Sequence, residues 1–373
     1  MRVVVAPDKF KGSLTAVEAA EAIGAGVRDV LPDAEVVACP VADGGEGTLD
    51  VLLAAGGRRV DVRVPGPLDA PVDAWYVLLD GTAYLESARA CGIEHVEPSP
   101  EVALAAHTFG VGELVGHALD GGARSLVLTV GGTASTDGGA GMLAALGARL
   151  RDEAGRPVGL GGGALGAVRE VDLEPVRARL AGVRARVATD VTNPLLGPDG
   201  AAPVFGPQKG AGPREVERLA EALGAWSDAL VKAGAEPVAD VPGAGAGGGI
   251  AAGAIAGLGA GVESGFDLVV ELTGVSRALA GADLVITGEG SLDAQSLAGK
   301  APAGIAARAG ARDIPVLAVA GRIQLDEGAL TGAGIAGGRA LIDHAPSLEY
   351  AQANAYPLLR EQAAALVRHW LAR

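Results

Sequence analysis

The sequence predicts an α/β protein in which a discontinuous Rossmann-like domain with a parallel sheet is interrupted by a large inserted α/β domain with a mixed sheet. At 373 residues the chain is longer than one typical core. Strand-like and helix-like segments alternate at both ends of the chain, which indicates parallel strands, whereas the middle contains alternating apolar and polar residues typical of antiparallel strands. The predicted boundaries assign residues 1–56 and 279–373 to the Rossmann-like domain and residues 57–278 to the insertion.

The first elements follow from local signals. Residues 1–5 are short, apolar and β-branched, as in a buried strand. The next helix is predicted over residues 15–31, because Thr15 and Glu18 form a capping box and Pro32 ends the apolar periodicity. A second strand over 35–41 and a helix over 48–55 complete a strand–helix–strand–helix unit.

The remaining elements show two different patterns. Residues 58–64 and 72–86 alternate between apolar and polar positions and predict antiparallel strands. Ser99 before Pro100, and Pro213, mark helix starts, the second helix running to residue 233. The α/β alternation then resumes, with strands predicted at 283–287, 314–319 and 340–343 and a last helix at 356–371.

Composition restricts the partners and the compartment. The formal net charge of −15 argues against nucleic acid, whose phosphates need a basic surface. The Gly- and Ala-rich run 241–262 has few large apolar residues, so it predicts a close-packed loop and helix and no membrane partner. Cys39 and Cys91 lie in apolar sequence and no signal peptide is visible, which favours the cytoplasm. Both a monomer and a homodimer remain open.

Four apolar runs end in glycine-rich loops that carry carboxylates. The loops contain Asp43 and Glu46 (36–48), Asp137 (125–141), Asp190 (187–200), and Glu289 with Asp293 (283–293). Ligands of open α/β sheets bind outside the carboxyl ends of the strands. Although Asp and Gly are also ordinary turn residues, four such loops predict a site that holds a divalent cation together with an anionic ligand.

A cationic loop precedes the first helix. Lys9, Lys11, Gly12 and Ser13 combine positive charge with a flexible backbone at a helix N-terminus, a combination that suits a phosphate or carboxylate. A solvated turn is the alternative. Lys300 lies seven residues after Asp293 and would share a helix face with it, which also fits a structural salt bridge.

Two motifs do not support other functions. Residues 243–248 match G-x-G-x-x-G but follow no convincing strand, so the sequence argues against a dinucleotide fingerprint and a nicotinamide oxidoreductase. Gly299 and Lys300 are followed by Ala301, so a Walker A motif is absent. The five histidines show no metal-ligand spacing.

Six ordered segments together resemble the type I glycerate kinase family along nearly the whole chain. They are APDKFKGSLTA (6–16), PVADGGEGT (40–48), GGTASTDGGAGML (131–143), TDVTNPLLG (189–197), GPQKGA (206–211) and ITGEGSLDAQSLAGKAP (286–302). The resemblance implies transfer of the ATP γ-phosphoryl group to a hydroxyl of D-glycerate, giving 2-phosphoglycerate or 3-phosphoglycerate, with ATP and Mg²⁺ as cofactors and the active site in the cleft between the domains. Two departures stand out: Lys9 replaces a residue that is often small in the family, and Ser291 replaces a basic one.

Within this resemblance each candidate residue receives an expected role. The expected catalytic residues are Asp190 as base, Lys11 and Asp43, and the expected metal ligands are Asp43, Glu46, Asp137 and Glu289. The expected substrate ligands are Arg89, Lys209, Asn193 and Ser13, the first two for the glycerate carboxylate. The expected cofactor-binding residues are Gly12, Gly44, Gly45, Glu289, Asp293 and Lys300. The alternatives are a kinase for another small hydroxy acid and a non-catalytic binding protein for an anionic metabolite.

Overall fold

The computed structural model describes residues 1–297 and 301–372. The chain forms two compact units. The first, here called the split domain, comprises Met1–Asp43, Asp50–Ala55 and Gly265–Arg373. The second, here called the inserted domain, comprises Gly44–Leu49 and Gly56–Ser264. The sequence predicts that the insertion ends at residue 278 and that the first domain resumes at residue 279. The compact units instead divide between Ser264 and Gly265.

The described residues contain both strands and helices in alternation. The strands are β1 Arg2–Pro7, β2 Glu35–Ala38, β3 Arg58–Pro65, β4 Pro71–Leu79, β5 Thr82–Glu86, β6 Ser125–Thr129, β7 Arg149–Arg151, β8 Glu170–Asp172, β9 Arg184–Ala188, β10 Gly261–Glu263, β11 Leu284–Leu292, β12 Val316–Ile323 and β13 Gly337–Ala340. The α-helices are α1 Ala16–Arg28, α2 Thr48–Ala54, α3 Ala88–Cys91, α4 Pro100–Ala105, α5 Phe109–Asp120, α6 Ala140–Ala145, α7 Glu174–Arg179, α8 Ala201–Phe205, α9 Pro213–Lys232, α10 Ala246–Leu258, α11 Gly265–Leu272, α12 Val275–Ala278, α13 Ala294–Leu297, α14 Ala301–Gly310, α15 Glu327–Gly332, α16 Leu348–Ala353 and α17 Ala355–Leu371. Short 3₁₀ turns cover Ile93–His95, Gly162–Ala167, Pro207–Lys209 and Ile342–His344.

The split domain is built on a five-stranded sheet in the order β13-β12-β11-β1-β2. All its neighbouring strands run parallel. Counted within this domain, the order is 2-1-3-4-5, the doubly wound arrangement whose strand order reverses beside the first strand. The reversal lies between β1 and β11. Ligands of such sheets bind outside the carboxyl ends of the strands at this point. The predicted Rossmann-like class is therefore confirmed.

Alternating residues of the central strands face two apolar layers. Val3 and Val5 pack with α1 and α17 on one face of the sheet. Val4 and Ala6 pack on the other face, in a cluster that includes residues of α11 and α14. Strands that are buried on both faces contain continuous apolar runs, which explains why β1 could be predicted from its composition.

The inserted domain contains a six-stranded mixed sheet in the order β10-β9-β6-β5-β4-β3. The pairs β3–β4 and β4–β5 are antiparallel, as the alternating pattern predicted. The pairs from β5 through β6 and β9 to β10 are parallel. A separate antiparallel pair, β7–β8, lies outside this sheet.

Local sequence signals predicted the starts of several helices correctly. Thr15 and Glu18 form the expected capping box at α1, and Ser99 accepts a hydrogen bond from the Val102 amide at α4. The run 241–262 contains α10, and no helix among the described residues is long and apolar enough to cross a membrane. Strand β11 extends beyond the predicted residue 287 to Leu292, so Glu289 lies on a strand and not in a loop.

A close approach between α1 and α17 depends on one glycine. A Cβ atom on Gly26 would lie 2.2 Å from the carbonyl oxygen of Arg360. We expect Gly26→Ala to lower the free energy of unfolding by about 2 kcal/mol or more, because rigid backbone must move to admit the methyl group. Urea unfolding of the purified variant measures the change.

Gly24→Ala is the matched control in the same helix. Its Cβ would meet only side-chain atoms, the nearer being Val36 Cγ1 at 3.2 Å. Both variants gain helix propensity from alanine, by up to about 1 kcal/mol, so we expect Gly24→Ala to be the more stable. Equal stability of the two variants would contradict the proposed backbone clash.

Candidate active site

Three acidic residues lie at the carboxyl ends of neighbouring strands in the split domain. Asp8 directly follows β1, Asp43 comes after β2, and Glu289 lies on β11. Asp8 is buried, with 7% of its surface exposed, and Glu289 is also buried. Because the strands are parallel, their carboxyl ends share one edge of the sheet. This edge therefore concentrates negative charge next to the point where the strand order reverses.

The charge state of Asp8 reflects this concentration. Burial is the main reason that the pKa of Asp8 is raised to about 7; the nearby charges of Asp43 and Glu289 add to the shift, and Lys9 opposes it. A cation bound nearby would stabilise the ionised form of this carboxyl group. Sequence reasoning missed Asp8 as a site residue, although its position directly after a buried strand was a usable signal.

A metal ion at this edge would be bound by one or two of the three carboxylates and not by all three. Among the residues that the structure describes, no three His, Cys, Asp or Glu side chains are arranged to hold a metal ion. Mg²⁺ does not need such a cage, because proteins usually bind it through one or two carboxylates together with waters and substrate phosphates. The raised pKa of Asp8 has burial as its main cause, with Asp43 and Glu289 contributing, and a divalent cation would stabilise the ionised carboxylate there.

The cationic loop lies at the same edge. Lys11 is exposed, and Gly12 has a φ of +78°, a left-handed conformation that favours glycine. The Ser13 hydroxyl donates to the carbonyl oxygen of Phe10, which fixes the turn. On β12, Arg322 is the register partner of Ser291 on β11. A guanidinium is therefore present beside Ser291, the position at which this chain lacks the basic residue common in the resembled family. The sequence alone did not indicate it.

In the inserted domain a buried lysine lines a small cavity. Lys209 has 3% of its surface exposed, and its Nζ donates a hydrogen bond to the carbonyl oxygen of Ser135. The cavity has a volume of about 130 Å³ and is also lined by Thr133, Thr189 and Gln208. The Thr133 hydroxyl is buried and has no hydrogen-bond partner among the residues described. The residues that line the cavity thus include a buried lysine and a threonine whose hydroxyl lacks a partner.

The electrostatics of Lys209 favour an anionic ligand. Burial lowers the pKa of Lys209 to about 8, and the charge of Asp137 only partly opposes this shift. Within residues 1–297 and 301–372, Lys209 forms no ion pair with a carboxylate. An ammonium group removed from water without a counterion is costly. A bound anion would remove that cost.

Two glycines close the cavity beside Lys209. Gly247 and Gly248 have φ values of +63° and +68°, which a side chain would strain. A Cβ on Gly248 would lie 2.1 Å from the carbonyl oxygen of Ser135 and 2.7 Å from Lys209 Nζ. This part of the G-x-G-x-x-G run thus brings the backbone against the 130–138 loop. The role of these glycines was missed because the loop they contact is remote in sequence.

Asp137, which the sequence suggested as a metal ligand, anchors the backbone. It is fully buried and accepts hydrogen bonds from the amide and hydroxyl of Thr108 and from the amides of Gly139 and Gly141. These donors occupy both carboxylate oxygens, and a metal would have to displace them. The arrangement favours a structural role, so we leave Asp137 out of the proposed metal ligands.

The predicted base, Asp190, and the other predicted substrate ligands have defined surroundings. Asp190 is exposed and accepts a hydrogen bond of 2.7 Å from the Ser264 hydroxyl. Arg89 pairs with buried Glu86 at 2.9 Å, and its guanidinium carbon lies 4.5 Å from the centroid of Trp75. The side-chain amide of Asn193 donates to the Asp199 carbonyl. Arg89 and Asn193 are not among the residues that line the Lys209 cavity.

The remaining predicted cofactor-binding and metal-binding residues belong to different parts of the structure. Gly44, Gly45 and Glu46 belong to the Gly44–Leu49 segment of the inserted domain, whereas Asp43 belongs to the split domain. Asp293 accepts a hydrogen bond from the Ser296 amide at the start of α13, an arrangement typical of a helix cap. Lys300 lies outside the described residues.

Comparisons with known proteins identify the family. The glycerate kinase family model matches residues 3–371. The chain belongs to the glycerate kinase family. This confirms the resemblance found in the sequence, and with it the kinase class of the enzyme.

Several relatives resemble this glycerate kinase family member over most of their length. The glycerate kinase of Bacillus subtilis (strain 168) is 44% identical over 90% of this chain and 88% of its own. The glycerate 2-kinase of Escherichia coli (strain K12) is 42% identical over 90% and 89%. The crystal structure of a "putative glycerate kinase 2" from Salmonella typhimurium LT2 is 39% identical, with a TM-score of 0.85 over 100% of this chain and 98% of that one.

The raised pKa of Asp8 predicts a measurable effect on stability. Between the ordinary aspartate pKa of 3.8 and about 7, the folded state binds more protons than the unfolded state, so stability falls as the pH rises through this range. We expect Asp8→Asn to remove this dependence and to stabilise the metal-free protein at pH 8 by on the order of 1–3 kcal/mol. Unfolding at pH 5 and pH 8, without divalent cations, measures the difference.

Asp33→Asn provides the control, because Asp33 is exposed and lies far from the acidic edge in sequence. It should keep the pH dependence of the unaltered protein. If Asp8→Asn keeps the same dependence as well, Asp8 is ionised normally in the folded state and the acidic edge does not carry excess charge.

Proposed function

We propose that this chain phosphorylates D-glycerate, with ATP as the phosphoryl donor and Mg²⁺ as the metal, and that the product is 2-phosphoglycerate. The observation that carries the proposal is the buried ammonium of Lys209, which lines a small cavity. The carboxylate of glycerate would neutralise this charge through a charge-assisted hydrogen bond. The names of two relatives with 42–44% identity support glycerate as the substrate, and the name of the Escherichia coli relative supports phosphorylation at position 2.

The size and polarity of the cavity support a small hydroxy acid. Its volume of about 130 Å³ is well below the roughly 300–1,000 Å³ of pockets for drug-sized ligands. The buried hydroxyl of Thr133 and the amide of Gln208 provide polar groups for substrate hydroxyls. A three-carbon acid with two hydroxyls has groups that could satisfy these side chains.

We further propose that Asp190 accepts the proton of the reacting hydroxyl. Thr189 and Val191, its two chain neighbours, both line the Lys209 cavity. The hydrogen bond from Ser264 holds the Asp190 carboxylate in one orientation. Phosphoryl transfer needs a positioned carboxylate of this kind. Arg89 and Asn193 remain proposed substrate contacts on the strength of the sequence resemblance.

The split domain is proposed to bind the nucleotide phosphates and the metal. Lys11, with the backbone of Gly12 and Ser13, would contact the phosphates. Asp43 and Glu289 would hold Mg²⁺, with Asp8 beside them. When bound, the metal ion would neutralise the charge of the phosphoryl group. The raised pKa of Asp8 supports this role, because burial and the nearby charges of Asp43 and Glu289 disfavour its ionised form, which a cation would stabilise.

Phosphorus NMR of the product tests the proposed reaction. With D-glycerate, ATP and Mg²⁺, we expect a phosphomonoester whose phosphorus couples to the single proton on carbon 2. Coupling to the two protons on carbon 3 would instead identify 3-phosphoglycerate. L-glycerate, lactate and glycolate complete the panel. Absence of any phosphorylated glycerate, or a higher kcat/KM for another hydroxy acid, would overturn the proposal.

Lys209 gives the proposal a specific pH dependence. Since the pKa of Lys209 is about 8, the ammonium is lost as the pH rises through this value. We expect the KM for glycerate to be constant below pH 7.5 and to rise above pH 8. In Lys209→Gln we expect a KM about tenfold higher or more, with no pH-dependent limb between pH 7 and 9.5, because a charge-assisted contact is worth about 1.5–3 kcal/mol.

Lys232→Gln is the matched control, because Lys232 ends α9 and is exposed. It should leave both the KM and its pH profile unchanged. Thermal unfolding of both variants separates loss of binding from loss of structure. A Lys209→Gln enzyme that is stable and has an unchanged KM for glycerate would remove Lys209 from the substrate site.

A further inference from the structure

A second cavity lies in the split domain, at the carboxyl ends of β1, β11 and β12. Its volume is about 200 Å³. Phe10 and Lys11 line it after β1, Arg322 lines it on β12, and Leu348, Ala351 and Gln352 line it on α16. The cavity lies beside the β1–β11 reversal of strand order, where doubly wound sheets bind their ligands.

Two cations at this cavity have no partner within the described part of the chain. Lys11 and Arg322 are both exposed, and neither forms a hydrogen bond or an ion pair with another described residue. The whole chain has a formal net charge of −15. Two cations without carboxylate partners are therefore notable in this chain, and their combination suits an anion such as a phosphate group.

The other wall of the cavity is apolar. Phe10 and Ala351 are buried, while 51% of the surface of Leu348 is exposed at the rim. Gln352 adds a side-chain amide that can both donate and accept hydrogen bonds. An apolar wall with a few polar groups is typical of sites for organic ligands, and a free phosphate would use only the cationic side.

The volume indicates which part of a ligand the cavity holds. About 200 Å³ is less than the roughly 300–1,000 Å³ usual for whole drug-sized ligands. A planar base could occupy the space beside Leu348 and Ala351, with the charged part of the ligand lying over the open rim. Lys11 and Arg322 would meet that charged part.

We propose that this cavity binds the base of the nucleotide cosubstrate, with Lys11 and Arg322 contacting its phosphates and Gln352 contacting the base. The inference rests on the proposed function, because it names where the phosphoryl donor of that reaction is held. Arg322, Leu348 and Gln352 thereby become nucleotide-binding residues.

Binding of ADP and of inorganic tripolyphosphate to the full chain, measured by calorimetry, tests the proposal. Arg322→Gln removes a phosphate contact and should weaken both probes, ADP by roughly tenfold. Leu348→Ser removes apolar surface from the rim without adding charge, and it should weaken ADP at least threefold while leaving tripolyphosphate unchanged. Leu348 is 51% exposed, so this variant should fold.

Two controls match these changes. Arg214→Gln alters an exposed arginine on α9, and Leu371→Ser alters a leucine with 48% exposure at the end of α17. Neither should change the affinity for ADP. If Leu348→Ser weakens both probes equally, or if neither Leu348→Ser nor Arg322→Gln weakens ADP, the cavity does not hold the base and the proposal fails.

The outcome is separable from that of the proposed function. Normal synthesis of phosphoglycerate by the unaltered chain, together with an unchanged KM for ATP in both variants, would reject this cavity and leave the function intact. Selective loss of ADP affinity in a chain that does not phosphorylate glycerate would support the cavity and reject the function.

Discussion

Parallel strands end at one edge of their sheet, and this constraint determines where the acidic and threonine residues of the two candidate sites lie. In the split domain it gathers Asp8, Asp43 and Glu289, which are far apart in sequence, at the ends of three adjacent strands. In the inserted domain the loops after β6 and β9 supply Thr133 and Thr189 to the cavity of Lys209. The helices between the strands provide the apolar layers that hold each sheet, and the glycine-rich loops bring backbone close to the polar groups.

Each of the two candidate sites contains a buried titratable group whose charged form is disfavoured: a lysine in one site and an aspartate in the other. Lys209 is a buried cation without a carboxylate partner among the described residues, and Asp8 is a buried acid next to other acids. Each costs stability in the ligand-free protein, because burial disfavours the charged form. An anion at Lys209 and a cation at Asp8 would each recover that cost. Charges left uncompensated by the fold are therefore the strongest physical indication of what the protein binds.

The sequence predicted most of the fold, because β1 and α1 have strong local signals: a continuous apolar run and a capping box. The loops that carry Asp43 and Asp190 could also be located from local signals, because each follows an apolar, strand-like run. The structural role of Asp137 depends on donors from Thr108, which no local pattern reveals. Arg322 lies next to Ser291 only through the register of two strands. The predicted boundary lies after residue 278 and the compact units divide after Ser264, because α11 and α12 resemble any short helices in sequence and only packing groups them with the split domain.

The central claim is that Lys209 is a charged ligand for a carboxylate, and proton linkage of glycerate binding tests it most directly. Calorimetry in buffers with different ionisation enthalpies gives the number of protons taken up. Since the pKa of Lys209 is about 8 in the free protein and a bound anion raises it, we predict uptake of roughly 0.5–0.8 proton per glycerate at pH 8.5 and nearly none at pH 6.5. Glycerate binding with no proton uptake at pH 8.5, or with equal uptake at both pH values, would contradict the account.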